Sequence, residues 1–254
     1  MLPIIAWRNL WRNKRRTALS LAAVAFPLAL VQCMSGTMHA MTDRMVEAVT
    51  ETQLGHVQIH QEGYRTSRGR WRTVADADRV LETVRAADRV EAAAGRIYGV
   101  AHASIVRGND DEVRSGNGEE VAAPVVALFG LDPQAETQVT DMEERVVEGR
   151  WLEGETDVLI GHVLAQTSGA QIGDAFLPTA VDASGATRGP WAVSDQVPRI
   201  VGILRTGIDD VDRRMVLLPR RYLASLIRME EEVHEIAIRA DGIEDLASLV
   251  TTLE

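Results

Sequence analysis

From Thr17 to Thr42 the chain runs 26 residues without a formal charge, and its few polar members, Gln32 and His39 among them, lie mostly toward the ends. An α-helix rises about 1.5 Å per residue, and roughly 20 mostly apolar residues cross a hydrocarbon core of about 30 Å. The run therefore predicts a transmembrane helix at 17–42, with slack for tilt. Pro27 is tolerable there, because a membrane helix can kink and satisfy the freed carbonyl through its neighbours. Helical spacing continues over 43–54, where Met45 and Val49 share a face with Thr52 or Leu54. This predicts a stalk that Gly55 stops.

Beyond the stalk the rhythm shortens. His56-Val57-Gln58-Ile59-His60 alternates polar and apolar residues, the signature of a half-buried strand. Residues 61–73, rich in Gly and Arg, read as a loop. Val80, Leu81, Val84 and Ala87 then line one helical face. Residues 91–106 read as one or two strands, the polar tract 108–120 as a hairpin tip or flexible loop, and 124–131 as a strand.

Further strands are expected at 157–161, 175–177, 199–205, 214–218 and 234–239. A short helix, 162–168, ends at Gly169, a suitable C-cap. Pro178, Gly185, Gly189, Pro190 and Pro198 mark 178–198 as a protruding loop or irregular hairpin. Pro219 opens a helix whose apolar face holds Leu223, Leu226 and Ile227. Ile243, Leu246, Leu249, Val250 and Leu253 give 242–254 helical spacing, with no Gly or Pro to stop it at the last residue. Interleaved helices and strands predict an α+β domain of two lobes, split near residue 140.

Charge sets the orientation. Arg8, Arg12, Lys14, Arg15 and Arg16 precede the run, and the first charges after it are Asp43, Arg44 and Glu47. Basic flanks stay in the cytoplasm, so 1–16 is expected inside as a juxtamembrane helix and 43–254 outside. A cleaved signal peptide fits less well, since Met38-His39-Ala40 has a bulky residue where a small one is wanted. Leu30-Val31-Gln32-Cys33 resembles a lipobox but places Gln32 where a small residue belongs. Apart from the five basic residues of 1–16, the chain holds 22 basic residues against 37 acidic, a balance of −15. Such a domain excludes nucleic acid and adhesion to anionic lipid as partners. Cys33 is the only cysteine, so no intramolecular disulfide forms.

The chain offers little for chemistry. His56 and His60 have a helical metal spacing, but in a strand they share a solvated face. No HExxH, paired-cysteine or nucleophile-elbow frame occurs. Asp110-Asp111, Asp209-Asp210 and Glu230-Glu231-Glu232 read as solvated charge. No Gly-Lys-Ser/Thr phosphate cradle exists, because the only lysine lies in Asn13-Lys14-Arg15. Neither a catalytic residue, a metal site nor a cofactor is expected, and any energy supply must come from a partner.

Ala6-Trp7-Arg8-Asn9-Leu10-Trp11-Arg12-Asn13-Lys14-Arg15-Arg16-Thr17 resembles the opening of bacterial ABC-transporter permeases of the FtsX/MacB/LolE type. Gly55 to His60, followed by Gly63-Tyr64, is similar to the first outer strand of the LolC/LolE-like branch. Gly149-Arg150-Trp151-Leu152, Asp157 to Gly161, Leu164-Ala165, Gly173-Asp174, Val201-Gly202-Ile203, Thr206-Gly207 and Glu235 to Ile238 resemble the MacB-like periplasmic core domain. The order and spacing of these motifs extend over nearly the whole chain.

The resemblance implies an inner-membrane permease, homodimeric or heterodimeric, with four spans per subunit and the outer domain between spans one and two. It implies cytoplasmic ABC ATPase subunits as drivers and a periplasmic carrier or adaptor as a further partner, with lipoprotein release or other export as the outcome. Spans two to four are absent from this sequence, so a portion of a longer permease is expected. The alternative is a single-pass anchored binding or scaffold protein complete at residue 254. The loop 178–198 sits where LolC-like members carry a hook for the carrier, which makes Arg188, Gly189, Pro190 and Trp191 the candidate partner-contact residues. The basic helix at 7–16 is the candidate cytoplasmic contact.

Overall fold

Lys14–Val49 form one helix, α1, whose backbone runs through Pro27. The computed structural model describes residues 14–49, 56–61, 72–229 and 231–241. Lys14, Arg15 and Arg16 open α1 and are exposed, as is every described side chain along it. Among the described residues no helix is long and apolar enough to cross a membrane. The continuous helix agrees with the spacing read through 17–49. Residues 50–54 of the expected stalk, Arg8 and Arg12, most of the expected loop at 61–73 and the expected helix at 242–254 lie outside the described residues.

Residues 1–49 and 50–254 form two compact units. The second is organised by one strand, β2 (Val90–Arg107), which at about 3.3 Å per residue extends roughly 60 Å. Its first half pairs antiparallel with β11 (Glu235–Ala240), and β11 pairs with β1 (Val57–Ile59). Its second half pairs with β4 (Val125–Leu131) on one side and β7 (Ala175–Val181) on the other. From β4 the sheet continues through β10 (Met215–Pro219), β6 (Asp157–Gly161) and β9 (Arg199–Leu204). Ala175 of β7 pairs with Arg199 of β9, so β2, β4, β10, β6, β9 and β7 make a closed ring. Three short strands attach to it: β3 (Glu119–Ala122) on β2, β5 (Val146–Gly149) on β9, and β8 (Thr187–Arg188) on β7.

Alternation on these strands separates two cores. Ile97, Ala101, Ile105, Val126, Leu128, Val158, Ile160, Phe176 and Val216 belong to the larger. It also takes side chains from α2 (Ala77–Arg85), α5 (His162–Ser168) and α7 (Arg220–Ile227). Met215, Leu217, Leu159, Leu204, Leu131, Leu152 and Trp151 form the second. Backbone crowding explains one glycine: a Cβ on Gly161 would lie 2.1 Å from the carbonyl oxygen of Asp212, the last residue of the short helix α6 (Asp209–Asp212). No side chain fits there.

Two helices join the elements read from the sequence, and one reading changes. The tract 108–120 is the expected hairpin tip, joining the antiparallel strands β2 and β3, and within it Asp110–Ser115 form helix α3, because Asn109 and Glu112 cap each other's backbone and Gly116 closes the end at φ 73°. Pro133–Val139 form helix α4, with Asp132 accepting from the N–H groups of Gln134 and Ala135 and Pro133 at the start. The lobe division near residue 140 does not follow chain order. β10 lies beside β4 and β11 beside β2, so strands from both sides of residue 140 interleave. The 178–198 segment is an irregular hairpin, with β7 and β8 as its arms and a 3-10 turn at Pro190–Ala192.

Candidate functional site

The candidate partner-contact residues are held firmly. The Arg188 guanidinium donates to the Ser225 carbonyl at the end of α7 and to the Ala192 carbonyl, each at 2.8 Å. It braces the hairpin, so its charge is already engaged. Gly189 precedes the 3-10 turn, and Pro190 is buried in it. Trp191 is 44 % exposed, and Arg114 of α3 stands over its ring at 5.3 Å. Outward presentation therefore falls to Trp191 and Arg114, from two elements that the sequence reading had treated as separate loops.

A second feature escaped the sequence reading. Arg96, in the middle of β2, is 5 % exposed and sits between Glu136, 0 %, and Glu235, 4 %. Its Nε donates to Glu136 Oε2 at 3.1 Å while Nη2 reaches Oε1, a two-pronged fork. Nη1 donates to Glu235 Oε1 at 2.9 Å. Glu235 also accepts from the Tyr98 hydroxyl at 2.5 Å and from the Gln58 amide at 3.0 Å. Thr140 donates to Glu136 at 2.8 Å. Burial alone would lower the pKa of Arg96, but the Glu136 charge and hydrogen bonds, with Tyr98 and Glu235, outweigh it and leave it raised. Burial and the Glu235 charge push the Tyr98 hydroxyl well up, so it stays a donor.

Charges this deep persist only when paired and hydrogen-bonded. Here the pairing joins β1 (Gln58), β2 (Arg96, Tyr98), α4 (Glu136) and β11 (Glu235). His56 and His60, expected on a solvated strand face, are half-buried and engaged with β11 and its approach. His56 Nδ1 accepts from the Ala240 N–H at 3.1 Å, and His60 Nδ1 lies 3.0 Å from the His234 carbonyl. Among the described residues no group of His, Cys, Asp and Glu could hold a metal. The network fixes β1, β2, α4 and β11 in place.

The model of the MacB-like periplasmic core domain matches residues 17–254. The lipoprotein-releasing system transmembrane protein LolC of Neisseria meningitidis serogroup B is 24 % identical over 133 residues, covering 50 % of this chain and 31 % of that protein. This chain therefore spans well under half of that relative. The periplasmic region of MacB from Actinobacillus actinomycetemcomitans superposes with a TM-score of 0.51 at 12 % identity, over 77 % of this chain and 78 % of that one. The extracellular domain of the noncanonic ABC-type transporter YknZ from Gram-positive bacteria gives 0.47 at 11 %, over 76 % and 88 %. The MacB match shows the fold, and the domain model shows the family. With a mixed unit of helices and mostly antiparallel strands and a family match over nearly its whole length, the chain belongs to the MacB-like periplasmic core domain family, the extracytoplasmic part of FtsX/MacB/LolE-type transporter permeases.

Proposed function

We propose that the chain is the first membrane span and outer domain of an ABC-transporter permease in the inner membrane, with residues 1–16 in the cytoplasm and 43–254 outside. One observation carries the membrane assignment. Leu19, Leu21, Val24, Phe26, Leu28, Leu30, Val31 and Met34 of α1 are 54–73 % exposed. Burying each such side chain stabilises by about 1.5–3 kcal/mol, so in water α1 forgoes roughly 10 kcal/mol or more of burial. Lipid hydrocarbon would cover it, and the charge-free run 17–42 has the length required. Lys14, Arg15 and Arg16 at its start, with Arg8 and Arg12 before them, hold that end inside.

The function is mechanical. A cytoplasmic ABC ATPase partner supplies ATP hydrolysis, since this chain has no phosphate cradle, and a second permease subunit completes the dimer. Motion of the span passes along 43–54 to β1, the first strand beyond. Gln58 of β1 donates to Glu235, which is tied to Arg96 and through it to Glu136, so β1 moves with β2, β11 and α4 as one piece. The hairpin bearing Arg188, Gly189, Pro190 and Trp191 meets a periplasmic carrier or adaptor. Lipoprotein release, named for the meningococcal relative, is one form this export takes.

The test is membrane retention. The full chain stays in the pellet after alkaline carbonate extraction. The Leu21→Arg/Leu28→Arg variant, which adds about 5–7 kcal/mol to insertion, moves to the supernatant. Release of the unaltered chain by carbonate sinks the proposal.

A further inference from the structure

One sector of the closed ring of strands is uncovered on its outer side. Elsewhere that side is packed: Leu159, Leu204, Met215 and Leu217 lie against Met142, Trp151 and Leu152, and Val106 and Ala175 lie against Val113 of α3 and Val197. Between these two covers run β4, β2, β7 and β8. Their inward residues, Val126, Leu128, Ala101, Ala103 and Ala180, are buried in the larger core. The alternate residues point the other way. Val100 is 61 % exposed, Val125 51 % and Val181 42 %, and His102, Thr179 and Thr187 are exposed beside them.

Register makes these residues one surface. Across β2 and β4, Val100 pairs with Ala127 and His102 with Val125. His102 pairs with Thr179 across β2 and β7, and Val181 pairs with Thr187 across β7 and β8. Strands lie about 4.8 Å apart and same-face residues about 6.8 Å apart along each, so four strands and three positions give roughly 400 Å². None of these residues carries a formal charge at pH 7, although the chain beyond residue 16 has a balance of −15. Arg188, next to Thr187, turns its guanidinium away to the Ser225 carbonyl.

Charge and area together restrict the occupant. A face without charge cannot steer or select a charged partner. It is, however, a surface on which two strongly negative domains can touch without burying like charges. Its evenly spaced Val and Thr side chains also suit an identical face turned about a two-fold axis, the geometry of an isologous contact. Stable complexes bury about 800 Å² per partner, roughly twice what this surface offers. It is too small to capture a partner from solution. It suffices for one already held alongside, because tethering raises the effective concentration to the millimolar range.

We propose that the outer face of β4, β2, β7 and β8 is where the outer domains of two copies of this chain meet when both are held in one membrane. The proposal rests on the membrane-span reading, which supplies the tether, and it makes the second permease subunit a copy of this chain.

The experiment is cross-linking of the full chain in native membranes, with every variant built on Cys33→Ala. The probe is a bis-maleimide of about 10 Å reach, the separation of sheets packed face to face. Val100→Cys gives a covalent dimer in at least about tenfold higher yield than two exposed control positions, the advantage of a held contact over chance encounter. The controls are Val147→Cys in β5 and Ile172→Cys, which lies beside Gly149 of β5. Adding Val125→Asp/Val181→Asp to Val100→Cys sets like charges against each other across the contact and cuts the yield at least about fivefold. Val147→Asp/Ile172→Asp adds the same charge elsewhere and leaves the yield within about twofold. All four are surface positions, so folding is retained. A Val100→Cys yield no higher than the controls, as a different partner on this face would give, overturns the proposal, as does equal loss in the two Asp pairs. Carbonate extraction of the same membranes separates the readings. Retention without the Val100→Cys dimer overturns this contact and leaves the span standing, whereas release of the chain overturns both.

Discussion

Replacing Arg96 by Met tests whether the buried network holds the outer domain together. Arg96, Glu136 and Glu235 are 5 %, 0 % and 4 % exposed, so the substitution strands two carboxylates without a counter-charge. Breaking a buried pair from one side costs about 3–5 kcal/mol, against roughly 0–1 kcal/mol for an exposed pair. Stability is read by urea unfolding of the detergent-solubilised full chain, followed by tryptophan fluorescence. Arg96→Met lowers the midpoint by an amount equivalent to about 3–5 kcal/mol. Arg96→Lys recovers only part, because an ammonium cannot reproduce the planar fork to Glu136. Arg96→Met/Glu136→Gln/Glu235→Gln recovers more than half, since the uncompensated charges are gone. A loss of about 1 kcal/mol or less at pH 7, in the range of a surface pair, refutes the reasoning, as does a triple variant less stable than Arg96→Met.

Gly161→Ala drives a methyl group into the Asp212 backbone, 2.1 Å from its carbonyl oxygen, and lowers unfolding stability by about 1–3 kcal/mol or more; a neutral result in thermal unfolding contradicts the close approach. Burial would raise the pKa of Asp157, but Arg150 and the N–H groups of Gly154 and Glu153 hold it below the usual carboxylate range. The Ser184 hydrogen bond, with the Ala186 N–H and Arg228, does the same for Asp182 against its burial. Each contribution is complete above the unfolded carboxylate pKa of about 4 and is lost as the pH falls through the lower folded value. Asp157→Asn and Asp182→Asn are therefore destabilised at neutral pH and converge on the parent chain in acid; a constant gap down to pH ~2 contradicts the assignment. Trp191→Ala alters stability by less than about 1 kcal/mol, its ring being half open and stacked under one arginine. Arg188→Ala exposes the 182–193 hairpin to limited proteolysis; equal cleavage rates mean that Arg188 is no brace.

Most strands were legible because their alternation is local. Val57 and Ile59, Val158 to Ile160 and Ile236 to Ile238 each occupy the strand their pattern marks. The two short helices were less so, because their signals are caps rather than periodicity. Asn109 with Glu112, and Asp132 before Pro133, are the readable signs of α3 and α4, and each helix offers too few apolar positions to show a face. The network was hidden for a different reason. Arg96 in Gly95-Arg96-Ile97 and Glu235 before Ile236 are isolated charges in apolar strands, and that was the available signal. Their partner Glu136 is 40 residues from Arg96 and 99 from Glu235, so only topology brings the three together. The parallel pairing between β4 and β10 was hidden likewise, since no local pattern encodes it.

In the proposed arrangement the outer domain is displayed by a span whose basic end stays in the cytoplasm. Single cysteines at Asn13 and Glu120, placed in a Cys33→Ala chain, test it with a membrane-impermeant maleimide on cells whose outer membrane has been made porous. The predicted result is labelling of Glu120→Cys in intact spheroplasts and of Asn13→Cys only after the inner membrane is opened. Labelling of Asn13→Cys from outside, or protection of Glu120→Cys until lysis, contradicts it.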